Sequence, residues 1–390
     1  MNICFVTIGH VSRLRGGVDR VTDTLAKAFM TNGQRVYMVS LWQPVKGDTV
    51  EDYQYFLPSQ DECCSDNHDF MSKLFADKEI EVIVYQSEST KLFELLVATK
   101  GKRKLISVIH TDPALNIKNI TDTWDKWRME EGFLKFTISY PYWWLRKMYQ
   151  YYTRYKFTRE KLQKWYYNSD AVVLLSEGVI PVYQKLAKLT DTRKLHAISN
   201  PINYPEKISA IEEKNHTILF VGRLTYQKRL DRLLRVWKVI KDHGDWRILV
   251  LGEGDYLSEY KSLCKKWSLK DVDFKGQVNP DGYYKKASIL CLTSTHEGFS
   301  MVVLEALLQN VIPIAFDSYE AVHDLIDNGE NGILVPAFSI EQYKSALCKL
   351  IREADTRIAY HRRIQVNNRE KKFDSNEIAK KWLNLFAHLN

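Results

Sequence analysis

Apolar runs alternate with amphipathic stretches along the chain, in two consecutive series. The strand-like runs of the first series, rich in Val, Ile and Leu, fall at residues 2–8, 35–41, 81–85, 104–109, 171–175 and 195–198. Those of the second series fall at residues 217–221, 247–251, 271–274, 289–293, 312–316 and 333–335. Apolar strands separated by helices are typical of parallel sheets with helices on both faces. Two such series predict an α/β protein with two doubly wound, Rossmann-like domains.

The length of 390 residues also favours two domains, because it exceeds what one hydrophobic core usually supports. We place the seam near Asn200-Pro201, where a polar stretch follows. This predicts an N-terminal domain at 1–199, a C-terminal domain at 200–374 and a last helix at 375–390. That helix caps the second domain or crosses back to the first. If the domains face each other, the carboxyl ends of both sheets line one cleft, where ligands bind in open α/β sheets.

The composition agrees with a folded protein of a reducing compartment. The hydrophobic fraction is 45% and the charged fraction is 27%, so wholesale disorder is not expected. The six cysteines form no Cys-x-x-Cys pair and are expected to be reduced thiols. The N-terminal sequence lacks the basic and long apolar regions of a signal peptide, and no run approaches the ~20 apolar residues that span a bilayer. We therefore expect a cytoplasmic protein.

Positive charge and aromatic side chains are concentrated in residues 124–167. This segment carries ten Lys and Arg against four Asp and Glu, and 16 of its 44 residues are aromatic. The net charge of the whole chain is +8. Such mixtures settle at membrane interfaces and also bind single-stranded nucleic acid by stacking and charge. A helix that buries its Trp and Tyr side chains in its own domain fits the segment equally well.

A glycine-containing loop follows the first predicted strand. It leads into a helix that begins near Val18, and it holds Arg13, Arg15, Gly16 and Gly17. Glycines let backbone N–H groups approach a ligand, and a helix N-terminus favours anions. The spacing is not Gly-x-Gly-x-x-Gly, so a dinucleotide fingerprint is absent. A phosphate contact and an ordinary strand–helix turn both fit this loop.

Two basic residues follow the first strand of the second series. The strand at 217–221 runs into Gly222 and Arg223, and Lys228 comes at the start of a helix. An Arg and a Lys at this place suit two adjacent phosphates, because Arg offers a fork of donors and Lys a mobile point charge. A solvated basic helix start is the alternative interpretation.

Two carboxylates follow a later strand of the same series. The strand at 289–293 leads into a loop with Glu297 and Gly298, and a helix that begins near Ser300 contains Glu305. The N–H groups of a helix start bind a phosphate or a sugar hydroxyl. Two carboxylates can accept hydrogen bonds from pairs of vicinal hydroxyls, as on a sugar and a ribose. The alternative, a capping carboxylate plus a surface glutamate, fits less well because the helix is apolar on most sides.

Taken together, these segments resemble a known family. Seven residues separate Glu297 from Glu305 inside Glu-Gly-Phe-Ser-…-Leu-Glu-Ala, which resembles the signature of glycosyltransferase family four, a retaining family of GT-B fold within the glycosyl transferases group 1. The resemblance extends, in the family's order, to residues 16–17, 199–202, 221–224 with Lys228, 251–254 and 331–335. The combination is specific, whereas each piece alone is not.

The resemblance implies roles for individual residues on the donor side. Arg223 and Lys228 would hold the donor diphosphate, Glu305 the ribose hydroxyls and Glu297 the ring hydroxyls of the donor sugar. The catalytic residues would be Arg223, Lys228 and Glu297. The remaining donor contacts would come from Gly222, Gly298, Phe299 and Ser300.

On the other side of the reaction, the resemblance points to the first domain. Gly16 and Gly17 would contact the acceptor or the β-phosphate. His110, which ends the strand at 105–109, stands where the family often places a residue beside the sugar. A structural role is the alternative for a lone His at a strand end.

The implied activity is transfer, with retention, of a hexosyl or N-acetylhexosaminyl group from a UDP- or GDP-linked donor. The acceptor would be a glycan or a lipid-linked saccharide in surface polysaccharide or glycoconjugate synthesis. Fixed cations near the leaving diphosphate stabilise the transition state, so neither a cofactor nor a metal is expected. The letters Asp271-Val272-Asp273 match the Asp-x-Asp of metal-using transferases, but they fit a surface turn better.

Alternative functions remain open at this point. One is another GT-B sugar-nucleotide enzyme, such as an epimerase or a synthase-like transferase. Another is a non-catalytic protein that binds an anionic surface through residues 124–167, although such binding needs no paired carboxylates. For a transferase, we expect residues 124–167 to contact the inner face of the cell membrane and not nucleic acid. Two departures from the family pattern leave the identity of the sugar open. Asn310 stands where the family usually has glycine, and the loop at 317–321 is not glycine-rich.

Overall fold

Two parallel sheets organise the chain, each in its own unit. The structure, a computed structural model, describes residues 1–12, 16–44, 49–120, 133–203, 208–367 and 369–389. The first unit comprises Met1–Asn203 and Phe373–Asn390, and the second comprises Tyr204–Lys372. The last helix therefore belongs to the first unit, and the boundary falls a few residues after Asn200-Pro201.

The first unit is a doubly wound α/β unit. Its strands are β1 (Asn2–Thr7), β2 (Arg35–Ser40), β3 (Gln54–Phe56), β4 (Val82–Tyr85), β5 (Lys104–Ile109), β6 (Ala171–Leu174) and β7 (Leu195–Ala197). Its helices are α1 (Gly17–Thr31), α2 (Ser65–Asp77), α3 (Thr90–Thr99), α4 (Phe133–Asn168), α5 (Val179–Ala187) and α13 (Ser375–His388). The strands are parallel in the order β3-β2-β1-β4-β5-β6-β7.

The hydrophobic pattern of the sequence did not predict one strand of this sheet, β3. β3 has three residues, lies at the sheet edge and is only partly buried, so it shows no apolar run. The other predicted strands of both units are present, with ends that differ by up to two residues.

The second unit repeats the doubly wound plan. Its strands are β8 (Asn215–Val221), β9 (Arg247–Leu251), β10 (Val272–Gly276), β11 (Ala287–Leu292), β12 (Ile312–Asp317) and β13 (Ile333–Pro336). Its α-helices are α6 (Leu230–Val239), α7 (Leu257–Lys266), α8 (Asp281–Lys286), α9 (Met301–Leu308), α10 (Val322–Leu325), α11 (Ile340–Arg352) and α12 (Ala354–Asn367). The strands are parallel in the order β10-β9-β8-β11-β12-β13.

The order of the second sheet reverses between β8 and β11. These strands pair directly, with Ile218 opposite Ile289 and Leu219 opposite Leu290. Because both run in the same direction, the segments that follow them leave the sheet side by side. Ligands of open α/β sheets bind at this switch point, outside the carboxyl ends of the strands.

The carboxyl-terminal half of the helix α4 packs in the first unit. It buries Thr158, Leu162, Trp165 and Tyr166, a set spaced for one helix face. Trp165 meets Phe93 edge-on at a centroid distance of 6.2 Å. Residues 124–132 of the basic aromatic segment lie outside the described part of the chain. None of the described helices is long and apolar enough to span a bilayer.

The last helix, α13, packs in the first unit. Its N-terminus is capped by a side chain, and its apolar face is buried. The Asp374 side chain accepts hydrogen bonds from the backbone N–H groups of Asn376 and Glu377. Phe386 packs on Phe29 of α1 with a centroid distance of 5.7 Å. Burial of this apolar face stabilises the helix in the first unit.

Glycines let the loops after β8 and β9 touch. Gly252 has φ +140°, and a Cβ built on it would lie 2.0 Å from the carbonyl oxygen of Gly222. Gly254 has φ +151°, and its Cβ would lie 2.5 Å from the carbonyl oxygen of Leu224. Any side chain at these two positions would push the loop after β8 away from the sheet.

We predict that Gly252→Ala destabilises the protein by about 3 kcal/mol or more, because it adds a backbone clash to a conformation that is essentially restricted to glycine. The measurement is chemical denaturation followed by circular dichroism. Gly282→Ala is the matched control, since Gly282 lies in α8 with no atom within 4 Å of its built Cβ. An equal, small effect of both substitutions would contradict the packing described here.

Candidate functional site

The segment after β8 places a lysine over a glycine. Gly222 has φ +145°, and a Cβ built on it would lie 3.5 Å from Cε of Lys228. The Gly222 N–H donates to the carbonyl oxygen of Leu251 at 3.0 Å. The glycine thus leaves room for the Lys228 side chain at the carboxyl end of β8.

Hydrogen bonds join the 3₁₀ turn Tyr226–Lys228 to the loop after β11. The Gln227 side chain donates to the His296 carbonyl oxygen at 2.7 Å, and the Thr295 N–H donates to the Gln227 carbonyl oxygen at 2.9 Å. The Thr293 hydroxyl donates to the Lys228 carbonyl oxygen at 3.1 Å. The two segments that leave the sheet side by side are therefore fixed to each other at the backbone level.

Lys228 and Glu297 form an ion pair between these segments. Lys228 Nζ lies 2.6 Å from Glu297 Oε1, and the two side chains are 18% and 9% exposed. Charges with so little solvent attract more strongly than surface pairs, but their desolvation also costs more. Such a pair requires a rigid frame, which the hydrogen bonds to Gln227 and Thr293 supply.

Arg223 and Arg229 have different environments, although both follow β8. Arg229 is buried, with φ +50°, and its guanidinium contacts both carboxylate oxygens of Asp231 at 2.8 and 2.9 Å. Arg223 is exposed and has no ion pair among the residues that the structure describes. Arg223 is therefore available to an anionic ligand near Lys228, whereas Arg229 is occupied in the unit's own structure.

The second glutamate is held from another helix. Glu305 lies in α9, is 9% exposed, and its Oε2 accepts a hydrogen bond from the Tyr284 hydroxyl at 3.1 Å. Ser300 is the N-cap of α9, but its hydroxyl makes no capping hydrogen bond. Because Glu305 is buried and bonded to Tyr284, the alternative of a surface glutamate at this position is excluded.

The loop after β12 adds polar side chains to the same region. The Ser318 hydroxyl donates to the Ser294 carbonyl oxygen at 3.1 Å and so ties the loops after β12 and β11 together. Tyr319 is 5% exposed. Burial raises the pKa of its phenol, and the nearby Glu297 carboxylate raises that pKa further.

Several residues named from the sequence belong to the first unit. Gly16 is the N-cap of α1, and its N–H donates to an Asp19 carboxylate oxygen at 3.2 Å. Gly17 begins that helix, while Arg13 and Arg15 of the same loop lie outside the described residues. Gly16 and Gly17 thus lie at the N-terminus of α1, where the Gly16 N–H is already bonded to Asp19.

His110 follows β5, and its Nε2 is hydrogen-bonded to Oε1 of Gln86. Burial lowers the pKa of His110 to about 4. The ring is therefore neutral at physiological pH, so His110 can take part in hydrogen bonds there but not in ion pairs.

No cluster of three or more potential metal ligands occurs among the residues that are described. Asp271 precedes the edge strand β10, and Asp273 lies in it; both are exposed. Asp273 Oδ2 lies 3.5 Å from Lys275 Nζ. The aspartates thus stand on an edge strand away from the ends of β8 and β11.

Sequence reasoning brought Lys228, Glu297 and Glu305 into one region, but it missed two tyrosines there. Tyr284 reaches Glu305 from α8 across 21 positions of the chain. Tyr319 lies in the loop where the sequence departs from the glycine-rich family pattern. That departure could have pointed to Tyr319, whereas no local sequence pattern predicts the contact of Tyr284 with Glu305.

The fold of the whole chain and the sequence of its second unit are similar to those of known proteins. The whole chain superimposes on HepE of Anabaena, solved with UDP and glucose, with a TM-score of 0.76, 13% identity and 100% coverage of both chains. This likeness shows the fold, which is GT-B, and confirms the predicted fold class. Residues 205–371 match the family Glycosyl transferases group 1. This match lies within the second unit and confirms the resemblance to the glycosyl transferases group 1.

Curated relatives agree with this assignment. The chain is 34% identical over 185 residues to an uncharacterized glycosyltransferase of Haemophilus influenzae, a match that covers 47% of this chain and 52% of the relative. It is 29% identical over 230 residues to an α-1,4-N-acetyl-D-galactosaminyltransferase of Campylobacter jejuni, named for a PP-undecaprenol-linked saccharide, with 56% and 60% covered. The chain thus spans between half and two thirds of the length of these relatives.

Proposed function

We propose that this protein is a retaining glycosyltransferase that needs no metal and uses a nucleoside-diphosphate sugar. It transfers a hexosyl or N-acetylhexosaminyl group to a glycan or lipid-linked saccharide in surface polysaccharide or glycoconjugate synthesis. The observation that carries this proposal is the Lys228–Glu297 pair at the switch point between β8 and β11. There a cation for a phosphate and a carboxylate for sugar hydroxyls stand within hydrogen-bond distance of each other.

Catalysis in this proposal is electrostatic. The C–O bond between the sugar and the diphosphate breaks, and negative charge develops on the leaving phosphate. Lys228 and Arg223 stabilise that charge, since fixed cations act more strongly on the transition state than on the ground state. The acceptor hydroxyl oxygen bonds to the anomeric carbon on the face from which the diphosphate leaves, and the leaving phosphate accepts the proton of that hydroxyl, so no protein nucleophile is required.

The surroundings of the glutamates support separate roles. Glu297 is paired with Lys228, which supports a role for Glu297 where the sugar would meet the diphosphate. Glu305 is oriented by Tyr284 and would accept hydrogen bonds from the two ribose hydroxyls. The UDP bound by the Anabaena neighbour and the lipid-linked saccharide named for the Campylobacter relative support a UDP-linked donor and a lipid-linked acceptor.

The first experiment is thermal stabilisation of the purified chain by nucleoside diphosphates and nucleotide sugars, because a ligand that binds the native state raises the unfolding temperature. UDP, GDP, UDP-N-acetylglucosamine, UDP-N-acetylgalactosamine, UDP-glucose, UDP-galactose and GDP-mannose form the panel. Stabilisation by none of them would contradict the proposal and favour a non-catalytic protein. Conversion of a donor to its epimer without transfer would favour the epimerase alternative.

We predict that Arg223→Ala and Lys228→Ala each lower turnover by roughly 10²–10³, the usual loss for one preorganised charge-stabilising donor. Turnover is measured as release of nucleoside diphosphate in excess EDTA, since the proposal requires no divalent metal. Arg235→Ala is the control, because Arg235 is a half-exposed cation on α6 that lies 3.9 Å from Asp231. Near-normal turnover in either variant, or activity that appears only with Mn²⁺ or Mg²⁺, would contradict the mechanism.

The two glutamates should separate in their effects on nucleotide binding. We predict that Glu305→Ala weakens binding of the free nucleoside diphosphate by about 10- to 100-fold, because hydrogen bonds to a charged group are lost. Glu297→Gln should leave that affinity nearly unchanged while turnover falls. Calorimetric titration and the turnover assay measure the two effects, and equal losses of nucleotide affinity would refute these roles.

We further propose that α4 docks the enzyme on an anionic membrane. Near its middle, α4 carries Leu145, Tyr149 and Tyr152, which are 64%, 69% and 65% exposed at the spacing of one helix face. The sequence from 133 to 159 contains six Lys and Arg and no Asp or Glu. Exposed apolar side chains within a sequence that is rich in basic residues and free of acidic ones suit a lipid interface.

The exposed leucine and the proposed acceptor both favour lipid over nucleic acid here. Leu145 offers no ring for stacking on a base, and a lipid-linked acceptor would itself lie in the membrane. Binding would be reversible, because the helix adds interfacial burial and ~1 kcal/mol per basic residue that comes near the surface, without insertion.

The membrane proposal predicts salt-sensitive binding to anionic vesicles, since exposed charges are screened over ~8 Å at physiological ionic strength. Co-sedimentation with phosphatidylserine-containing and with neutral vesicles measures it. Binding should fall at least about tenfold in a variant with Arg146, Lys147, Arg154 and Lys156 changed to Ser. The reason is that each basic residue near the surface contributes ~1 kcal/mol to the binding free energy.

The matched control removes four exposed lysines of the second unit, Lys261, Lys265, Lys266 and Lys270. Equal losses in both variants would mean that binding follows net charge and not α4. Failure of the wild type to bind anionic vesicles at low salt would contradict the membrane contact and favour a soluble glycan acceptor.

A further inference from the structure

Two hydroxyl groups beside Glu297 have no hydrogen-bond partner among the described residues. They belong to Ser300 and Tyr319, which are 2% and 5% exposed. The Ser300 hydroxyl lies close enough to lower the pKa of the Tyr319 phenol, but the two oxygens do not meet hydrogen-bond geometry. Leaving a buried hydroxyl without a partner costs free energy. Such groups in a native structure call for a ligand or another specific explanation.

The chemistry of these groups is complementary to that of Glu297. Burial, followed by the charge of Glu297, raises the pKa of Tyr319, so its phenol stays protonated at physiological pH and can donate a hydrogen bond. The ionised carboxylate of Glu297 can only accept. A phenol donor next to a carboxylate acceptor can bind a sugar hydroxyl from both sides, or one hydroxyl and one carbonyl oxygen.

The position of Tyr319 connects this chemistry to the donor. The tyrosine lies in the loop after β12, which Ser318 ties to the backbone of Ser294 in the loop after β11. This loop has Ser-Tyr-Glu at residues 318–320, so it places a tyrosine side chain next to the loop that carries Glu297.

We propose that Tyr319 is a specificity-determining residue of the donor-sugar subsite, where its hydroxyl donates to an oxygen substituent of the sugar that Glu297 holds. The inference rests on the proposed transferase function and adds to it a residue that selects the sugar. A buried donor discriminates well, because a sugar without the matching acceptor leaves the donor unpaired.

The test is Tyr319→Phe, compared with Tyr343→Phe. Tyr343 is a buried tyrosine of α11 in the same unit, and its hydroxyl donates to the Ile314 carbonyl oxygen at 2.9 Å. Removal of the bonded Tyr343 hydroxyl should lower Tm by about 2–4 °C. Removal of the unpartnered Tyr319 hydroxyl should leave Tm unchanged or raise it, because no protein hydrogen bond is lost.

Donor selectivity is measured as the ratio of affinities, and of slow hydrolysis rates, among UDP-N-acetylglucosamine, UDP-N-acetylgalactosamine, UDP-glucose and UDP-galactose, with GDP-mannose added. Tyr319→Phe should reduce the preference of the wild type for its best donor by about tenfold, the worth of one neutral hydrogen bond. Affinity for the free nucleoside diphosphate should stay within about twofold, because the hydroxyl does not contact the nucleotide.

Each other outcome counts against a specific statement. An unchanged donor ratio, or a fall in Tm and nucleotide affinity together, would overturn the role of Tyr319 while the transferase proposal stands. A wild type that binds none of the sugars would overturn both. The two failures are therefore distinguishable in the same set of measurements.

Discussion

The ion pair between Lys228 and Glu297 is the interaction on which the second unit's site depends. At 2.6 Å, with both side chains largely buried, the pair holds its charges in place only if the surrounding backbone is rigid. Direct pairing of β8 with β11 brings the two residues together, and hydrogen bonds between their loops keep them there. In the proposed function, a carboxylate for the sugar and a cation for the phosphate are thus preorganised before a substrate arrives.

Close backbone contact is the constraint that makes this arrangement possible. Gly222, Gly252 and Gly254 adopt positive φ angles, and at the last two a Cβ would lie within 2.5 Å of the loop after β8. Gly222 lies against the Lys228 side chain, whereas Gly252 and Gly254 pack the loop after β9 on the loop after β8. Glycine is required at the last two positions because no side chain fits there.

The first unit presents a different chemistry on a similar sheet. Its most distinctive element is α4, which is anchored by Trp165 and neighbouring residues and exposes Leu145, Tyr149 and Tyr152 near its middle. Large apolar side chains exposed on one face are costly in water, and the proposed lipid partner would cover them. In the proposed function, the residues that bind the donor and those that meet a membrane therefore belong to separate units of the chain.

Hydrophobic periodicity alone predicted two doubly wound sheets, because buried parallel strands must be apolar along their whole length. Residues that follow strand ends, such as Lys228 and Glu297, could likewise be named in advance, since parallel strands present their carboxyl ends at one edge. The short edge strand β3 could not, because an edge strand buries too little to leave a pattern. Only the tertiary structure brings Tyr284 to Glu305 and Tyr319 near Glu297. Local sequence records whether a side chain faces solvent, whereas the partner of a buried polar group depends on which distant segment the fold brings beside it.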